Sequence, residues 1–167
     1  SNQSNWYDWG CAHCSEGNYA IIMNGPRGWS GPEYAQGWSF NVPTAEFYNS
    51  FEEGDTRRDA TVLDIEAFAA ATGANYTEGY DHTGYFNNKY IPRAGESGGQ
   101  TELNYLTNFR IIRYSDVLLM AAEAYNRGGI DDGLAQEFLN QVRRRAFGDD
   151  DHDISASGTA LTDAIWE

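Results

Sequence analysis

The chain has 167 residues, with 25 acids against 11 bases and a formal net charge of −14. An acid surplus of that size argues against a phosphate-binding face, and 14% aromatic residues argue against a disordered acidic tail. No apolar run approaches the ~18–20 residues of a membrane-spanning helix, and no basic-then-apolar leader is present.

A chain near ~150 residues can bury roughly 68–70% of its unfolded surface, so a single domain with a real core is expected. Residues 1–42 hold four of the five tryptophans (Trp6, Trp9, Trp29, Trp38) and are rich in Gly, Asn and Ser. Only Tyr19-Ala20-Ile21-Ile22-Met23 resembles a strand there, and Gly25-Pro26 and Gly31-Pro32 signal turns. The rest is expected to be a long irregular region, and ordered loops of that length tend to carry function.

Residues 43–113 change character. Pro43 and Thr44 open a predicted helix lined by Phe47, Tyr48 and Phe51 and closed by Gly54. Asp55-Thr56-Arg57-Arg58-Asp59 leads into a short strand at Ala60-Thr61-Val62-Leu63, and residues 66–88 read as loop. Lys89-Tyr90-Ile91 and Phe109-Arg110-Ile111-Ile112-Arg113 are predicted as two further short strands.

Residues 114–148 carry the clearest helical signal. Ser115 caps a helix from Asp116 to Arg127, with Val117, Leu118, Ala121, Ala124 and Tyr125 as its apolar face and Gly128-Gly129 as the stop. Asp132 opens a second helix to about Phe147, with Leu134, Phe138, Leu139 and Val142 inward. A short loop between two amphipathic helices makes a helical hairpin. Residues 149–167 form an acidic loop, Asp149-Asp150-Asp151-His152-Asp153, and a helix start capped by Thr162. That helix start stops after one turn and the chain begins Ser1-Asn2-Gln3-Ser4, so a piece of a longer protein is expected.

The candidate chemistry is sparse. Cys11-Ala12-His13-Cys14 lacks the second ligand pair of a closed zinc site, which leaves a local disulfide or two thiols. The Asp149–Asp153 run lacks the spacing of a calcium loop and reads as solvated, so neither metal nor cofactor is expected. Asp55, Asp59 and Arg57 could form a catalytic acid group, but an ion-paired turn is the favoured reading. Glu123, on or near an apolar face, needs a partner, and Arg113 or an arginine of the next helix could supply it. The loop aromatics Trp6, Trp9, Trp29 and Tyr34 fit no core stripe, and such rings can stack on the apolar face of a sugar.

Four ordered blocks carry a family resemblance over about residues 37–146. They are Gly37-Trp38-Ser39-Phe40-Asn41-Val42-Pro43-Thr44; Phe51 to Arg58 with Asp55-Thr56-Arg57; Lys89-Tyr90; and Asn108 to Asn126 followed by Leu139 to Ala146. This sequence resembles the SusD/RagB family of surface nutrient-binding lipoproteins of Bacteroidetes. The resemblance implies a mainly α fold with tetratricopeptide-like helical pairs and a loop-rich C-terminal half, of which this chain looks like a part.

It further implies a lipid-anchored protein on the outer membrane that binds a glycan, or a peptide in some members, without catalysis. The partner would be a SusC-like TonB-dependent transporter. A glycoside hydrolase using Asp55, Asp59 or Glu123 is the rival from another class. On the same resemblance Trp38, Asp55, Arg57, Arg113 and Glu123 are expected to be structural, while Trp6, Trp9, Trp29 and Tyr34 remain the ligand candidates. The compartment it implies favours a Cys11–Cys14 disulfide.

Overall fold

The computed structural model describes residues 20–97 and 105–167. They fall into two compact units, one comprising residues up to Glu53 with Arg57–Phe109, the other Gly54–Thr56 with Arg110–Glu167. The architecture is mainly helical with a few very short strands, as the sequence predicts.

The first unit is built from loops. It holds α1 (Ala20–Met23), β1 (Arg27–Ser30), α2 (Ala45–Asn49), α3 (Arg57–Thr61), β2 (Val62–Asp64), α4 (Ile65–Thr72), β3 (Asn75–Thr77) and β4 (Tyr85–Asn87). β1 pairs antiparallel with β3 and β2 with β4, the latter in the register Leu63 opposite Phe86. Asp64 ends β2 and caps α4, its carboxylate accepting the Ala67 N–H at 2.8 Å. Gly73, at φ +71°, ends that helix in the left-handed region that glycine enters without strain.

Around these elements Tyr34, Leu63, Ile65, Phe86 and Ile91 form one buried cluster. Ile21, Ile22 and Tyr105 form another. Burying each such side chain contributes about 1.5–3 kcal/mol, which offsets the ordering of so much irregular chain.

Several local expectations are corrected here. Ala20–Met23 is a helical turn, not a strand. The helix after Thr44 stops at Asn49, although Thr44 does cap it, its hydroxyl accepting the Phe47 N–H. Residues 57–61 are helical before the strand begins at Val62. The stretch 66–88 contains α4, β3 and β4 rather than loop alone. Lys89–Ile91 and Phe109–Arg113 form no strand.

The second unit contains α5 (Tyr114–Arg127), α6 (Asp132–Phe147) and α7 (Gly158–Trp166). Arg113, not Ser115, caps α5, and its backbone N–H donates to the Asp116 carboxylate at 2.8 Å. Asp131 caps α6 by accepting the Leu134 N–H at 3.0 Å, one residue before the predicted opening. The buried stripe of α5 is Leu118, Ala122 and Asn126, with Leu119 and Tyr125 beside it. Val117, expected inward, faces out.

Ala122, Ala135, Leu139, Leu161 and Ile165 interlock across the three helices. Thr162 does not cap α7; it sits inside that helix and donates its hydroxyl to Asn126 at 2.5 Å. The Asn126 amide donates to Asp132 at 2.7 Å and to the Gly158 carbonyl at 3.0 Å, while Asp132 accepts the Gly158 N–H at 2.7 Å. One half-turn of polar atoms thus ties the end of α5 to the starts of α6 and α7.

Candidate functional site

Trp29 sits on β1, where Gly28 at φ +61° breaks the pairing register and turns the strand. Its indole is half-buried, 6.0 Å from Phe68 of α4 and edge-on to Tyr34 at 5.9 Å. Its ring lies against Gly31, where a Cβ would come within 2.8 Å. The indole N–H is buried and has no hydrogen-bond partner among the described residues.

Tyr34 is only 5% exposed. Phe68 packs edge-on to its ring at 5.1 Å, and the Arg93 guanidinium lies over it at 5.2 Å, itself held by Glu33 at 2.6 Å and Asn88 at 3.0 Å. Burial, then the Glu33 charge, pushes the Tyr34 phenol above its ordinary pKa. A ring enclosed in this way offers no open face to a sugar, so the expectation for Tyr34 is corrected to packing. The absence of a strand or helix stripe failed to exclude it from the core, because here side chains of α4 and β1, Phe68 and Trp29, cover a loop ring. Trp6 and Trp9, with Cys11, His13 and Cys14, lie outside the described residues.

A second aromatic corner lies in the same unit. Residues 37–40 run beside residues 22–26, their N–H groups donating in turn to the carbonyls of Pro26, Ile22, Gly25 and Met23, each at 2.8 Å. The two backbones approach so closely that a Cβ on Gly37 would lie 2.4 Å from Gly25. Trp38 packs against Ile21, Ile22 and Tyr105, and its carbonyl accepts from the Arg27 guanidinium at 3.0 and 3.2 Å. That guanidinium lies 5.9 Å over the Phe40 ring. Ser39, Asn41 and Asp81 all hold left-handed backbone. Gly79 rests on Ser39, where a Cβ would come within 2.7 Å, and the next residue, Tyr80, is 91% exposed. Sequence reasoning did not single out Phe40 or Tyr80 as sites, since exposure of a loop ring leaves no pattern in the chain.

The acids weighed for catalysis are engaged or enclosed. Asp55 is buried, Arg57 stands exposed at the start of α3, and Asp59 pairs with Arg58 at 2.9 Å. Arg113 holds Asp116 at 2.7 Å. Glu123 pairs with neither expected arginine but with Arg127, one turn along α5, at 2.6 Å. Arg113 is already used at the helix start, and a half-exposed Glu123 does not need a buried partner.

Arg143 and Arg144 of α6 instead hold the acidic loop. Arg143 donates to the His152 carbonyl at 2.7 Å, and Arg144 grips both Asp153 oxygens at 3.0 Å. Hydrogen bonding by Asp153 raises the Arg144 pKa above its ordinary value. Asp153 is therefore bound rather than solvated. Among the described residues no group of three acids, histidines or cysteines could hold a metal ion. On the outer face of α5, Met120, Glu123, Ala124, Arg127 and Gly128 line a wide, shallow groove of about 460 Å³.

The model of the SusD family matches residues 2–165. The chain is 31% identical over 138 residues to SusD-like protein P2 of Formosa agariphila, covering 77% of this chain and 26% of that protein. It is similar to a solved laminarin binding SusD-like protein at 39% identity and a TM-score of 0.74, covering 87% of this chain and 32% of the other. It is also similar to surface glycan-binding protein A from Bacteroides thetaiotaomicron in complex with laminarihexaose. That match has 30% identity and a TM-score of 0.76, over 90% of this chain and 34% of the other. The chain thus spans between a quarter and about a third of the length of these relatives.

Proposed function

The chain belongs to the SusD family, and from that membership we propose that its full-length protein binds an oligosaccharide at the cell surface for import, without turnover. The observation that carries this reading is the likeness to a glycan-binding protein solved with laminarihexaose. The same membership supports an outer-membrane location, attachment through a lipid, and delivery of the glycan to a SusC-like TonB-dependent transporter.

Binding would rest on ring stacking with hydrogen bonds to the sugar hydroxyls. Of the four rings expected from the sequence, Trp6, Trp9 and the half-buried Trp29 are kept for that role. Tyr34 would act one step back, by holding Trp29 in place. Trp38, Asp55, Arg57, Arg113 and Glu123 serve the framework in this reading. The burial of Asp55 and the ion pairs of Asp59 and Glu123 support a binder over a hydrolase.

Isothermal titration of the full-length protein with laminarihexaose and a wider glycan panel tests the proposal. Saturable binding with no reducing sugar released is the expected result. Silence across the panel, or release of reducing ends, overturns it. Recovery of a TonB-dependent transporter with the protein from its native outer membrane tests the delivery step.

A further inference from the structure

Glycan binding leaves one buried titratable group unused. His82 lies in the turn between β3 and β4, and its side chain is only 11% exposed. Its ring is 5.5 Å from that of Tyr76 on β3 and 6.2 Å from that of Phe86 on β4. Nδ1 is buried with no hydrogen-bond partner among the described residues. Two groups compete for Nε2: the Tyr76 hydroxyl at 3.2 Å, and the carboxylate of Glu66, in the first turn of α4, at 3.9 Å. We propose that His82 is a proton-operated latch, which when neutral shares a hydrogen with Tyr76 and when protonated binds Glu66 and ties α4 to the turn.

The exchange of partners follows from the chemistry of the ring. A neutral imidazole has one donor and one acceptor nitrogen, so Nε2 shares a single hydrogen with the Tyr76 oxygen, whichever of the two carries it. The imidazolium can only donate. A carboxylate is then the better acceptor, since a charge-assisted hydrogen bond is roughly twice as strong as a neutral one. The Glu66 side chain is 67% exposed, so a side-chain rotation suffices to close the gap. It lies over Gly84, where a Cβ would come within 3.4 Å of its carboxylate, so no side chain stands in the way there.

The charges at this place are acids. Burial, then the charges of Glu66 on α4, Glu78 after β3 and Asp64 at the end of β2, hold the Tyr76 phenol above its ordinary pKa. No arginine or lysine pairs with any of these three carboxylates among the described residues. Burial disfavours a charged ring, and the acids offset that cost. β4 contributes the uncharged Phe86.

The turn is held so that it cannot simply release the ring. Thr83 donates its hydroxyl to the Pro43 carbonyl at 2.7 Å, and the Gly84 carbonyl accepts the Ile65 N–H at 3.0 Å. With the backbone after His82 pinned, the exposed Glu66 is the partner that moves. α4 also carries Phe68, whose ring backs Trp29 at 6.0 Å, so the latch acts on the helix that supports that indole.

Amide hydrogen exchange of the full-length protein tests the latch, compared at about pH 7.5 and about pH 5.5, either side of the range in which imidazoles ordinarily titrate. After correction for the intrinsic pH dependence of exchange, protection of the first turn of α4 and of residues 81–84 is expected to rise about threefold at the lower pH, the gain of one partly exposed ion pair. Glu66→Gln keeps the shape of the side chain without its charge. It should abolish the rise and leave protection at the higher pH unchanged. His82→Gln should abolish the rise as well; if that variant unfolds, Glu66→Gln, at an exposed position, decides alone. A parent protein equally protected at both pH values, or a Glu66→Gln variant that keeps the rise, would overturn the latch.

Discussion

The two units solve the same problem of burial with opposite means. In the helical unit, buried residues recur at helical spacing, as in Leu118, Ala122 and Asn126 or Ala135, Leu139, Val142 and Ala146. In the loop-built unit, Tyr34, Ile91 and Tyr105 are buried from segments with no period at all. That unit is fixed by close backbone approaches and by side chains reaching into neighbouring loops. A packed helix stripe is therefore sensitive to volume removed, and a folded loop to volume added.

Removing volume should have the largest effect. Leu161 of α7 is fully buried against α5 and α6, and Leu161→Ala is expected to destabilise the helical unit by about 4 kcal/mol in a urea melt. Adding a methyl should break the other unit. Gly37→Ala would set a Cβ 2.4 Å from Gly25, and about 3 kcal/mol of lost stability is expected, because backbone rather than a flexible side chain must move. If Gly37→Ala were neutral, the contrast between the units would fall.

A third change tests whether the helical unit also depends on loops. Asn140 both donates to the Ile154 carbonyl at 3.0 Å and accepts its N–H at 2.8 Å, pinning the segment after α6. Asn140→Ala should cost about 1 kcal/mol by the same melt, since it leaves the backbone groups of the half-buried Ile154 without their side-chain partner.

Asp132 sharpens the comparison through pH. Hydrogen bonds from the Gly158 N–H and the Asn126 amide hold its carboxyl below the ordinary value of 3.8. A carboxyl depressed by folding stabilises the fold above that value and ceases to do so as the pH falls through its lower folded pKa. Asp132→Asn should therefore lower the melting temperature at pH 7, and the gap to the parent should close at acid pH. The smallest effect is expected for Glu123→Gln, about 0.5 kcal/mol or less and weaker still in high salt, since its pair with Arg127 is half-exposed.

The same contrast explains what the sequence could tell. α5 and α6 were legible from their stops and a 3.6-residue period, although the cap of α5 was not. The inward face of α5 was misassigned because it ends on a polar residue, Asn126, while the apolar Val117 faces out. α4 had a legible cap in Asp64 and a stop in Gly73, but its alanine-rich body read as loop. Trp38 was expected to serve the framework through its family block. Tyr34 could not be placed, since nothing local distinguishes a loop ring that distant elements cover from one that water covers. Phe40 and Tyr80 are the reverse case, with exposure set by how two distant turns meet at Ser39 and Gly79.

The amide of Asn126 has one more consequence. It bonds simultaneously to Asp132, Gly158 and Thr162, which belong to the starts of two helices and the interior of one. α7 therefore cannot fray from its first turn without leaving several polar atoms unsatisfied at once. Amide protons of α7 should exchange with deuterium at the same rate as those near the end of α5, as one cooperative opening. Asn126→Ala would uncouple them, and α7 would then exchange first.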